Sequence, residues 1–195
     1  MGLFSRLSIG GLLFGVALGI VTGYRLAEMQ TRKKLEHNKE LVRATLQHVW
    51  SERNTAAAVT AARSMYTTDF VDHDWTGDST GGFEEFAKGL AENRRSFPDW
   101  TETIEALVAE GDFVAVRSVS TGTQAADLPA VPHIQPRIPN KHRFSRLPEL
   151  AIYRIAGGKL AEEWNISDGW DANRQLGLFD PDHWPESICN ETHAK

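Results

Sequence analysis

A single cysteine, Cys189, stands among 195 residues, which excludes an internal disulfide and any cysteine-rich metal site. The seven histidines are scattered, and none has the close spacing that puts two ligands on one metal, so no metal is expected. Basic residues are not in excess: the net charge of −5 gives no reason to expect nucleic acid as a partner. No glycine-rich phosphate loop is present and no serine sits in an elbow motif, so nucleophile-and-cofactor chemistry has no motif to rest on. These absences leave proton transfer by a few side chains in an apolar pocket.

Charge is also missing from one long run. From Leu7 to Gly23 there are 17 uncharged residues, which as a helix would span roughly 25 Å, the short limit for a bilayer core. Arg25, Arg32, Lys33 and Lys34 follow the run, while only Arg6 and the amino terminus precede it. Residues 7–23 therefore read as a single-pass membrane anchor with a cytoplasmic C-terminal domain. The competing reading is a signal peptide with Val21-Thr22-Gly23 as its cleavage site, giving a secreted protein. Gly11, Gly15, Gly19 and Gly23 would line one face of the helix and allow close approach of another helix in lipid. The chain thus divides into an anchor or signal segment (1–24), a basic linker (25–34), a folded domain (35–178) and a polar tail (179–195).

Within the domain the hydrophobic period changes once. Leu35, Leu41, Val42, Leu46, Val49 and Trp50 recur at helical spacing to about Ser51. Asn54 can cap a second, Ala-rich helix ending near Tyr66. Phe70 to Trp75 is a short extended segment, and Gly81-Gly82 opens a third helix with Phe83, Phe86, Leu90 and Phe97 on one stripe. After Pro98 the period falls to two. Trp100 to Val108 and Phe113 to Thr123 form an antiparallel hairpin across Glu110-Gly111-Asp112. Pro129, Pro132, Pro136 and Pro139 imply a long loop. Leu147 to Ile155 and Lys159 to Asp168 form a second hairpin across Gly157-Gly158, and a last helix from Trp170 to Leu176 stops at Gly177. Three helices followed by mostly antiparallel strands predict an α+β domain with helices on one face of a curved sheet.

The strand ending in Asp168 carries the most chemistry. Glu162, Trp164, Ile166 and Asp168 share one face of it. If that face lines a concave interior, apolar neighbours raise the Asp168 pKa and make it an acid/base near neutral pH. The alternative is an N-cap, in which the Asp168 carboxylate accepts backbone N–H groups of the helix beginning at Gly169. His73 could polarise a carbonyl oxygen, with Asp72 and Asp74 setting its tautomer. Arg117, if it points inward, could bind an anionic or enolate oxygen, an ordinary ion pair being the alternative. Trp100, Trp164 and Trp170 offer faces for a flat ligand or simply fill core.

Seven segments in order, NKELVRATLQHVW, FVDHD, SFPDW, EALVAEGDFVAVR, TGT, YRIAGGKLAEEWNISD and QLG, cover about residues 36–178. In that order and spacing the chain resembles the SnoaL-like polyketide cyclase (ester cyclase) family of the nuclear transport factor 2-like superfamily. The resemblance implies a cone-shaped α+β fold whose deep apolar pocket receives a hydrophobic small molecule. It also implies ring closure by intramolecular aldol condensation without cofactor or metal. Asp168 falls on the family's acid/base and His73 on its pocket histidine. Gln124 stands where the family usually has a histidine after the Gly-Thr pair, and the proline-rich segment replaces a shorter family loop. The same fold also admits a membrane-tethered module that binds without reaction, and self-association into a homo-oligomer. Asn165 and Asn190 match the glycosylation acceptor pattern; in a eukaryotic cell a glycan on the Asp168 strand would interfere with folding, which favours the cytoplasmic side, and in a bacterium the pattern has no bearing.

Overall fold

The computed structural model describes the backbone of residues 9–74, 77–78, 81–128 and 137–178, and the side chains of 22–73, 81–128 and 137–178. The start of the uncharged run, three of the loop prolines and the polar tail lie outside the described residues.

The helical period that begins at Leu35 extends backward through the basic linker, so that helix α1 runs unbroken over Ile9–Thr45. Residues 22–34 are exposed on every side, and burial starts only with Asn38, Val42 and Thr45. There Asn38 donates to the Gly111 carbonyl (3.3 Å) and Lys34 pairs with Asp112 (2.7 Å). One π turn, Leu46–Trp50, follows and buries Leu46 and Val49. Among the described residues no helix is long and apolar enough to cross a membrane, and most of residues 7–23 have no described side chain.

Helix α2, Thr55–Met65, begins where the Asn54 side chain accepts from the Ala57 N–H at 3.0 Å, the cap expected of that residue. Helix α3 spans Gly82–Ser96. Gly82 has φ +60°, and a Cβ there would stand 2.5 Å from the Thr68 carbonyl, so only glycine fits. Phe83, Phe86 and Leu90 pack with Tyr66 and Phe70 in the main core. Arg94 of α3 is buried. Its guanidinium donates to the carbonyls of Val49, Trp50 and Glu52 and so satisfies the orphan acceptors at the end of the π turn.

Six strands form one sheet: β1 (Tyr66–Asp74), β2 (Gly77–Asp78), β3 (Thr101–Glu110), β4 (Phe113–Thr123), β5 (Phe144–Ala156) and β6 (Lys159–Ser167), in the order β2-β1-β6-β5-β4-β3. The two expected hairpins are present, while β1 pairs with β6 in parallel. That pairing makes the sheet mixed, and it joins residues some 90 positions apart, beyond the reach of local periodicity. Both hairpin turns lie at one end of the sheet, where the Ile155 N–H donates to the Asp112 carbonyl at 2.8 Å. At the opposite end a second, smaller core of Phe97, Trp100, Ile138 and Leu176 gathers. The short helix α4 (Gly169–Gln175) closes over it.

Candidate active site

The key local event is a bulge. Ile155 pairs with Leu160 but Arg154 pairs with Glu162, which leaves Ala161 as an extra residue in β6. One extra residue reverses which side of the sheet the following side chains face. Leu160 is in the core, and beyond the bulge Glu163 and Asn165 turn inward. Glu162, Trp164 and Ile166 turn outward: Glu163 is 4% exposed and Ile166 68%. The face expected to line the interior is therefore the outer face.

Between the helices and the inner face lies a cavity of about 260 Å³, lined among others by Asp72, Glu102, Glu149, Tyr153, Glu163 and Asn165. Trp100, Leu147 and Asn93 wall both this cavity and a larger one of about 610 Å³. The larger space is bounded by Phe97, Leu128, Trp170 and Leu176. The site is an apolar mouth above a floor of carboxyl groups.

Burial governs the charge state of that floor. It pushes Glu163 up to about 8, with the neighbouring Asp72 adding to the effect and hydrogen bonds from Tyr153 and Asn165 opposing it. Burial and then Glu149 hold Glu102 well above the usual carboxylate range, although the Trp100 Nε1–H donates to it at 3.3 Å. Glu149 is raised by burial and partly restored by donors. These are the Ser120 hydroxyl and, at 3.3 Å, the Asn165 amide. Burial and the Glu163 carboxyl likewise lift Tyr153. A carboxyl that is neutral near pH 7 can donate a hydrogen bond to a carbonyl oxygen, while an ionised neighbour accepts a proton.

The residues expected from the sequence sit elsewhere, with two exceptions, Trp100 and Trp170. Asp168 is exposed and caps α4, its Oδ1 accepting from the Asp171 N–H at 3.0 Å. His73 lies on the outer face, stacked on Trp164 (4.6 Å between ring centres, 5° between planes), with Nε2 2.9 Å from a Glu162 oxygen. Arg154 takes the other oxygen of Glu162. Arg117 points outward into an ion pair with Glu105. Gln124 is fully buried, but its amide donates to the Ile138 carbonyl (3.3 Å) and accepts from the Lys141 N–H (3.1 Å). It ties the segment after β4 to the sheet end. Trp100 and Trp170 wall the larger space, and Trp100 the smaller one as well.

Comparison with known proteins identifies the family and the fold. The family model for SnoaL-like polyketide cyclase matches residues 40–176. The chain belongs to that family. A protein from Jannaschia sp. CCS1, named as a SnoaL-like polyketide cyclase of unproven activity, is 18% identical with a TM-score of 0.65, covering 75% of this chain and 95% of its own. IdmH from Streptomyces antibioticus, for which a polyketide cyclase activity is proposed, is 26% identical with a TM-score of 0.54, covering 69% and 97%. An epoxide hydrolase of the LEH-like type from M. tuberculosis is 11% identical, covering 73% and 91% with a TM-score of 0.55. No curated protein matches the chain. The fold is thus the α+β architecture of the nuclear transport factor 2-like superfamily, and the cyclase-family match spans every cavity residue while leaving out most of α1.

The floor carboxyls Glu102, Glu149 and Glu163 carry no expectation from the sequence, and Asp72 is expected only as a partner of His73. One signal was there. Glu162 and Glu163 are adjacent on a strand, and alternation forces one of two consecutive acids inward wherever the other faces out. Which of them turns in depends on the bulge at Ala161, a feature of strand pairing.

Proposed function

We propose that this cyclase-family chain is an acid–base catalyst acting on a hydrophobic carbonyl compound without a cofactor, and that its proton-transfer group is Glu163. The observation that carries the reading is a buried carboxyl, raised to about 8, on the floor of a cavity reached through an apolar mouth. The substrate's apolar body rests against Phe97, Trp100 and Leu147. Protonated Glu163 gives its proton to the carbonyl oxygen as Glu149, in its ionised form, takes one from the adjacent carbon. The carbon of the resulting enol then attacks a second carbonyl of the same molecule. A carbon–carbon bond forms, the second carbonyl oxygen becomes a hydroxyl by taking the proton from Glu149, the enol oxygen returns its proton to Glu163 and is a carbonyl again, and both carboxyls are back in their starting states.

The test is hydrogen–deuterium exchange at the activated carbon of a panel of apolar 1,3-dicarbonyl compounds, read by mass in heavy water. Glu163→Gln is expected to lower exchange by roughly 10²–10⁴-fold. Asp168→Asn keeps the helix cap, because Asn caps as well as Asp, and is expected to leave exchange within a few-fold of the parent. Exchange lost in Asp168→Asn and retained in Glu163→Gln would return the role to Asp168. A probe that binds without exchange in the parent chain supports the non-catalytic binding module.

Residues 7–23 are proposed to tether the domain to a membrane, with the domain on the cytoplasmic side. The basic residues that follow the run support this. In a eukaryotic cell so does Asn165, whose amide lines the cavity and donates to Glu149, a bond that a glycan there would break. A mature amino terminus beginning after residue 23 would replace the tether by a cleaved signal.

A second reading concerns the outer face, where Val108, Phe113, Leu150, Ile152, Trp164 and Ile166 are all exposed. Val108, Phe113, Ile152 and Trp164 border a groove of about 640 Å³. Ion pairs of both signs flank it, Arg117 with Glu105 and Arg154 with Glu162. An exposed apolar face of this kind suits a second copy of the chain.

A further inference from the structure

The membrane tether and the mouth of the cavity leave the domain at opposite ends. Helix α1 enters the fold at the hairpin-turn end, where Lys34 meets Asp112 and Asn38 meets Gly111. It then runs along the helical layer toward the other end, where the Ser51 hydroxyl, just past the π turn, accepts from the Glu102 N–H near the start of β3 (2.9 Å). Everything before Lys34 therefore projects past the turns and away from the mouth.

The mouth is built entirely at the far end. Its walls are Phe97 and Trp100 just before β3, Ser145 and Leu147 at the start of β5, Ser167 at the end of β6, and Ala172 and Leu176 on or beside α4. Between the two ends lies the whole of β4, which is 11 residues long and spans about 35 Å at the usual strand rise. The exposed stretch of α1 from Gly23 to Lys34 adds about 16 Å at 1.5 Å per residue. It is continuous helix with no break at Gly23, so it acts as a strut and not as a loose linker.

We infer that the tethered cyclase stands on its hairpin turns with the mouth facing away from the bilayer, and draws its substrate from the aqueous side. This rests on the tether proposed above. A substrate entering laterally from the lipid would need the mouth at the base of the strut, and the strut emerges at the other end. The substrate class this fits is an amphiphilic or carrier-borne carbonyl compound presented in water, whose apolar part is first buried when it meets Phe97, Trp100 and Leu147.

The test uses the full chain with Cys189→Ser, reconstituted in phosphatidylcholine/phosphatidylglycerol vesicles whose headgroups carry an acceptor dye. A donor dye is placed on Glu110→Cys, at the turn end, or on Ala125→Cys, at the mouth end; both positions are exposed. Lys141→Cys, also exposed at the mouth end, is a second mouth position should Ala125→Cys perturb the fold. Energy transfer to the headgroups is expected to be several-fold stronger from the turn position than from either mouth position. Equal transfer from the two ends, or stronger transfer from the mouth, overturns the orientation while leaving the tether intact. If the full chain does not float with the vesicles, the tether itself fails, and the inference falls with it.

Discussion

Glu163 and Asp168 lie five positions apart in one segment, yet the first is sealed under a cavity and the second faces water. Burial decides the proton chemistry of Glu163. Glu163 is raised to about 8 from an ordinary glutamate value of about 4.3, so the folded chain holds a proton that the unfolded chain releases. The stabilising contribution is complete below about pH 4 and is lost as pH rises toward about 8, at up to ~1.4 kcal/mol per pH unit for one such group. Glu102 and Glu149 are shifted the same way. Thermal melting of the parent chain is therefore expected to be higher near pH 6 than near pH 8, and Glu163→Gln to flatten that fall. An equal slope in the variant would mean that Glu163 does not hold the proton. Gly122 shows a second residue-scale constraint, since a Cβ there would come within 3.2 Å of both Phe97 and Trp100. The glycine of the TGT triplet thus keeps room for the aromatic pair that walls the mouth.

At the scale of elements, local features were readable and paired ones were not. The Asn54 cap, the glycine entry to α3 and both hairpin turns follow from residues a few positions apart, and these set most of the fold. The inward face of β6 depends on the bulge at Ala161, and the parallel partner of β1 lies most of the chain away. Glu162, Trp164 and Ile166 share one face, but the apolar character of Trp164 and Ile166 suggests interior where the structure has an exposed outer surface, and Asp168 lies past the end of β6 as the cap of α4. His73 was legible as a histidine held by an acid, though its partner is Glu162 across the sheet. Helix α4 depends on one more long-range contact. The Gln175 side chain accepts from the Arg146 N–H (2.7 Å) and donates to the Arg146 carbonyl (2.9 Å), standing in for a neighbouring strand at the free edge of β5. Gln175→Ala is expected to cost about 1–3 kcal/mol locally. Amide exchange should accelerate in α4 while β4 and β5 stay protected, and exchange unchanged in α4 would show that the helix is held by its apolar contacts alone.

At the scale of the molecule, three surfaces divide the labour of one sheet. The inner face holds the carboxyl floor, the far end opens the mouth, and the outer face is left apolar and unpartnered among the described residues. If the outer face joins two copies, sedimentation of the parent chain from residue 35 onward should report a dimer, and Phe113→Glu with Ile152→Glu a monomer of unchanged fold. A parent chain that stays monomeric at high concentration would leave that face to another use.

The central claim is that proton transfer takes place at Glu163, and the pH dependence of carbon-bound hydrogen exchange tests it most directly. With an apolar 1,3-dicarbonyl as probe, exchange by the parent chain is expected to lose its acid-requiring limb as pH passes about 8, the limb disappearing in Glu163→Gln and persisting in Asp168→Asn. A limb moved by Asp168→Asn and untouched by Glu163→Gln would contradict the account.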